Sequence, residues 1–158
     1  MFQVFVVLGL VITGYQVFLK KKPFRESLLR NTLVFVVGLS GFYAFAGHYF
    51  LSDMVAESIG WPKGNPFQQE VGFANLAFGV LGVLCLWRSI EFRIATAIGY
   101  SIFLLGAAIT HLDDIGASNN MAEGNAGFIL YFDILLPFVL LVLSFLEFMR
   151  SNVKAIKP

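Results

Sequence analysis

Residues 126–148 read AGFILYFDILLPFVLLVLSFLEF, an apolar run with only two acids, Asp133 and Glu147, and one proline, Pro137. At about 1.5 Å of rise per residue, a helix of this length crosses the roughly 30 Å hydrocarbon core of a bilayer. An internal proline is tolerated there because neighbouring helices satisfy the freed backbone groups. The run therefore reads as a transmembrane helix, and the whole chain's composition agrees. Of 158 residues, 58% are hydrophobic and 13% charged, and the mean hydropathy is +0.77. A soluble domain carries about 25% charged residues, so this chain has too few to cover a surface facing water. Its net charge of +1 offers no footprint for nucleic acid.

Four more apolar segments precede this one, at residues 2–19, 28–50, 67–87 and 94–112. The first is followed, not preceded, by Lys20, Lys21, Lys22 and Arg25, so it reads as an uncleaved anchor and not as a signal peptide. Lys and Arg fix the orientation. Ten of the 11 basic residues fall after the first, third and fifth segments, and only Lys63 lies on the other side. The positive-inside rule then places the N-terminus outside and the C-terminus in the cytoplasm of a multi-pass protein of the inner, cytoplasmic membrane. Trp61 and Trp87 fall at opposite interfaces, as aromatic anchors do. The expected fold is an all-α integral membrane protein with five transmembrane helices in a single membrane domain, residues 1–158. An anchor helix (residues 1–25) precedes a four-helix bundle (residues 27–150) built of two similar hairpins.

The acids run opposite to the bases. Asp53, Glu57, Glu70, Asp113, Asp114, Glu123 and Asp133 belong to the outer half, whereas Glu26, Glu91 and Glu147 are inner and each lies near an arginine in sequence. The loop at residues 58–66 holds Gly60, Pro62, Gly64 and Pro66 and reads as a set of turns. Asn65 is placed to cap the next helix, with Pro66 at its first position and Gln68 following. Residues 51–57 suit an interfacial helix with Asp53 and Glu57 on one face. This loop and the polar one at residues 113–125 read either as lids over a site or as plain connectors.

A shift of 63 residues lays His48 on His111, Glu70 on Asp133, Arg30 on Arg93, Ala44 on Ala107 and Gly64 on Gly127. This suggests a duplicated hairpin, in which each histidine is followed by an acid 22 residues later. His48, Glu70, His111 and Asp133 are the candidate site, with Asp113 and Asp114 as supporting residues around His111. An acid facing lipid at mid-bilayer costs at least about 2.5 kcal/mol, so such groups turn inward and pair. Small residues one turn before each histidine (Ala44, Ala107 and Ala108) let helices approach there.

Two imidazoles and two carboxylates from four helices are a donor set for a divalent metal such as zinc, iron or copper. Histidines on alternate helices can also clamp a haem, but embedded carboxylates beside it make haem the less attractive cofactor. The same four residues suit a small polar ligand, a lipid headgroup or a proton relay. They equally suit two structural His–carboxylate pairs. For Glu70, the field of a helix N-terminus is a further, purely local explanation. The 18 Phe fit lipid-facing packing, and the single cysteine, Cys85, reads as a small apolar residue. No phosphate loop, nucleophile elbow or His-Glu-x-x-His motif occurs, so no reaction can be named.

The runs Gly47-His48, Ile59-Gly60-Trp61-Pro62, Pro66-Phe67-Gln68-Gln69-Glu70 and Asn75-Leu76-Ala77-Phe78-Gly79 resemble a family of small, uncharacterised bacterial polytopic membrane proteins. The likeness continues through His111 and Asn125 to Pro137. An embedded acid opening a Gly-rich helix after a Gly-Pro loop is also similar to the DoxX-like four-helix membrane proteins. Neither resemblance implies an established activity. The expected function is a membrane protein with an outward-facing His/carboxylate site for a metal, small polar ligand or lipid headgroup, or a redox-accessory role. The alternative is a structural subunit of a membrane complex, its His–carboxylate pairs serving stability only. The expected partners are the lipid bilayer and a second copy or another subunit. Few polar residues lie in the inner halves of the last four segments, which counts against a transport path.

Overall fold

A computed structural model describes residues 1–156, with side chains to residue 151. Among the described residues the chain is all-helical. Its elements are α1 (Phe2–Phe18), α2 (Phe24–Phe50), the short α3 (Ser52–Ile59), α4 (Phe67–Leu84), α5 (Ile90–Ser118), the single turn α6 (Glu123–Ala126) and α7 (Phe128–Ile156). Three stretches, Phe24–Phe50, Ile90–Ser118 and Glu123–Ser151, are long and apolar enough to cross a membrane. Leu135, Phe138, Val142 and Phe145 of α7 are exposed, as a surface solvated by lipid requires. Helix α1 is shorter but largely apolar and uncharged, and α4 opens on Gln68, Gln69 and Glu70.

Helices α2 and α4 form one close pair, and α5 and α7 another. The first pair meets backbone to backbone. A Cβ built on Gly41 would lie 2.7 Å from the Asn75 carbonyl oxygen and the Gly79 Cα. One built on Gly82 would lie 2.5 Å from the Gly38 nitrogen. Small residues at such a crossing replace side-chain packing with direct helix contact. Residues Thr32–Leu39 of α2 are π-helical, and their apolar side chains enter the main core with Leu29, Ala97, Tyr100, Leu104, Leu136 and Leu140. Neither the glycine contact nor the π segment recurs in the α5–α7 pair, so the two hairpins are built differently and the expected repeat does not extend to their packing.

The anchor helix is docked and not set apart. Asn31 of α2 donates from Nδ2 to Thr13 Oγ1 (3.0 Å) and Gln16 Oε1 (3.2 Å), and Arg30 donates to the same Gln16 oxygen (2.6 Å). At the end of the molecule rich in arginine, Glu26 accepts from Arg150 (2.9 Å) and lies 3.8 Å from Arg93. Arg93 Nε also donates to the Cys85 carbonyl (2.9 Å). One carboxylate thus joins the starts of α2 and α5 to the last turns of α7. Cys85 is buried, as expected, in the turn after α4.

Gly82→Ala should lower stability by about 1–3 kcal/mol, because the added methyl meets backbone that cannot move aside. Gly14→Ala, where nothing lies within 4 Å, should be neutral or slightly stabilising. Thermal unfolding of both variants in mild detergent, followed by circular dichroism, separates the two.

Candidate functional site

The close pairs α2–α4 and α5–α7 leave a cavity of about 840 Å³ between them. Its wall is mainly apolar, with Tyr43, Phe103 and Phe132 among the larger contributors, and α3 and Trp61 also border it. The polar groups on the wall include His48 from α2, Gln68 and Asn75 from α4, His111 and Tyr100 from α5, and Asp133 from α7. Both histidines of the chain therefore reach one cavity, together with one embedded acid.

Each histidine is held by an amide. His48 Nδ1 lies 2.7 Å from Gln68 Oε1, and His111 Nδ1 lies 2.7 Å from Asn125 Oδ1. Asn125 commits its Nδ2 to the Asn120 carbonyl (2.8 Å), so its oxygen faces the ring and His111 donates from Nδ1. In the neutral imidazole this leaves Nε2 with a free lone pair. Asp133 is 6% exposed, and its carboxyl makes no hydrogen bond among the described residues.

A cover lies over the histidine end. The Trp61 ring stacks on His111, with centroids 5.8 Å apart and planes at 22°. Its Nε1 donates to Asp114 Oδ2 (2.8 Å), and Asn120 donates to the same oxygen (2.7 Å) and to the Ile59 carbonyl (2.8 Å). Gly60 turns the chain with φ +82°, and a Cβ there would lie 2.7 Å from Asn120 Oδ1. Asp53 accepts from the Gly64 N–H (2.8 Å) and Glu57 pairs with Lys63 (2.8 Å), so the acids of α3 staple the following turn. Glu57 holds the exposed Lys63 ammonium above its ordinary range. Asn65 Oδ1 accepts the Phe67 N–H (2.9 Å) in the turn that leads into α4, whose N-cap is Pro66, one residue later than the sequence suggests.

The four expected ligands are only partly gathered. His48, His111 and Asp133 share the cavity, whereas Glu70 is exposed and does not line it. The reason is helical phase. Gln68, Val71 and Asn75 share one face of α4, and a residue two positions after Gln68 is turned about 200° away. Glu70 keeps its place in the first turn, where the helix field favours an acid. Among the described residues no three His, Cys, Asp or Glu side chains gather as a metal-binding group, so the expected metal donor set is not assembled. The repeat's His–acid pairs do not form: amides, not Glu70 and Asp133, hold the two rings. Of the supporting acids, Asp114 acts on His111 through Trp61, and Asp113 is exposed. Gln68, Asn125, Asn120 and Trp61 join the site without being among the residues the sequence singles out for it. The seven-residue spacing that puts Gln68 and Asn75 on one face of the helix is the available signal.

Comparison with known proteins finds no curated protein and no solved structure that matches, and the likeness to DoxX-like proteins finds no support there. A family model matches nearly the whole chain, in keeping with the expected uncharacterised family. On that match, over residues 1–152, the chain belongs to DUF6790, a family of unknown function.

Proposed function

We propose that this chain is a polytopic membrane protein that binds an amphiphilic organic molecule between its helices. The apolar body of the ligand lies against Tyr43, Phe103 and Phe132, and its polar end points toward His48, His111 and Asp133. The observation that carries this reading is the cavity of about 840 Å³, mainly apolar yet bordered by both histidines and Asp133. Ligand sites have this make-up: a volume of roughly 300–1,000 Å³, apolar walls and a few polar groups that fix orientation. The Trp61–Asp114–Asn120 cover supports it as a means of excluding water and closing over a ligand. On this reading α1 and α4 cross the membrane with α2, α5 and α7, and the histidine end faces outward, in keeping with ten of 11 basic residues at the other side.

A second reading, a structural subunit of a membrane complex, is favoured by one observation. His111 is bonded through Nδ1 to Asn125 and stacked on Trp61, contacts that would also hold a purely architectural histidine.

Trp61 fluorescence in a Trp87→Phe background, measured in nanodiscs titrated with dodecanol, should change saturably. His48→Ala should weaken that binding by about tenfold, the worth of one hydrogen bond of roughly 1.4 kcal/mol. A wild-type protein with no saturable response, and a His48→Ala variant that loses only stability, would favour the structural reading.

The orientation has its own test. In a Cys85→Ser background of intact cells, a cysteine at Asn119 should react with an impermeant maleimide, and one at Lys22 only after the membrane is opened. The reverse pattern would overturn the proposed sidedness.

A further inference from the structure

Among the described residues, Asp133 is the one acid on the cavity wall, and no lysine or arginine accompanies it there. It is more than nine-tenths buried and has no hydrogen-bonding partner among the described residues. The two histidines do not supply one, since each gives its Nδ1 to an amide. The backbone adds to the imbalance. Pro137 has no N–H, so the Asp133 carbonyl loses its ordinary partner in the helix. Asp133, with a buried carboxyl and an under-used carbonyl, thus lines a cavity without lysine or arginine among the described residues. The remaining wall is rich in aromatic faces, from Tyr43, Tyr100, Phe103 and Phe132. Such faces attract organic cations and offer nothing to anions.

Resting on the reading of the cavity as an amphiphile site, we propose that its ligand is a lipophilic organic cation, a substituted ammonium or a comparable delocalised cation, with Asp133 as its counter-ion. The chemistry disfavours carboxylate and phosphate amphiphiles, which would bring a second negative charge into a wall whose basic groups, among the described residues, are the two amide-bound histidines alone. A substituted ammonium needs few hydrogen bonds, which suits a wall whose polar groups are largely paired already. Binding would place its charge against Asp133 and its alkyl or aryl groups against Phe103 and Phe132.

The test uses the full chain in nanodiscs of uncharged lipid, with dodecyltrimethylammonium, dodecanol and dodecanoate as probes. For each probe, the affinity of wild type divided by that of Asp133→Asn cancels its partitioning into lipid. The expected ratio is about tenfold or more for the cation, near one for dodecanol and below one for dodecanoate. Asp133→Glu should keep the preference for the cation. A readout without a variant is displacement of bound rhodamine 6G from wild type. Dodecyltrimethylammonium and tetraphenylphosphonium should displace it, and dodecanoate should not. Equal ratios for the three probes, or displacement by dodecanoate as effective as by the cations, would overturn the proposal while leaving the amphiphile site intact. Failure of dodecanol and the cations alike to bind would instead remove the amphiphile reading itself.

Discussion

The direct contact of α2 with α4 is the constraint on which the rest depends. At Gly38, Gly41, Gly79 and Gly82 the two backbones touch, and no side chain separates them. Lipid tails are as apolar as leucine, so helices in a bilayer gain little from hiding apolar surface. They gain from close packing instead. This seam aligns the end of α2 with the start of α4, where His48 meets Gln68 and the His48 Cβ lies 3.4 Å from a Cβ built on Gly72. With α2 committed to α4 and α5 to α7, the space between the pairs is filled only in part, and the remainder is the cavity.

The two ends of the molecule treat charge in opposite ways. At the arginine end Glu26, Arg93, Arg150 and Glu147 pair with one another across three helices, although one buried Glu147 oxygen has no partner among the described residues. A buried ion network of this kind is weak evidence for stability, since desolvation offsets most of the attraction. Its geometry suits a role in fixing helix register. At the histidine end the rings are held by neutral amides, and the acid that remains, Asp133, is left facing the cavity. The first arrangement is closed on itself and the second is open to a visitor.

Much of this was legible in the sequence. The helical segments followed from apolar runs, and the start of α4 from Asn65 and Pro66. His48, His111 and Asp133 stand out in the sequence as embedded polar groups, which have few places to go, but the sequence leaves open whether they meet. The partners of the histidines do not stand out. Which residue faces a cavity depends on phase around the helix, and phase is lost when boundaries are uncertain by even one residue. Gln68 and Glu70 are two positions apart and point to opposite sides. Charge drew the reading to Glu70, whereas geometry selected the neutral amide. The docking of α1 through Thr13, Gln16 and Asn31 was also hidden, since single polar residues in apolar runs do not announce their mates.

The π-helical segment of α2 has an implication for how the chain counts distance. Arg30 and His48 are separated by the same number of residues as Arg93 and His111. The first interval passes through Thr32–Leu39, where each turn takes up roughly one residue more than in α5. Over eight residues that slows the winding by roughly two-fifths of a turn. Equal spacing in the two halves therefore yields unequal azimuth, and an alignment that matches them letter by letter superposes side chains that point in different directions. A deletion of one residue within Thr32–Leu39 would tighten the winding and change the bearing of His48 relative to Arg30. Residue spacing along α2 thus measures facing correctly only when the extra residue of each π turn is counted.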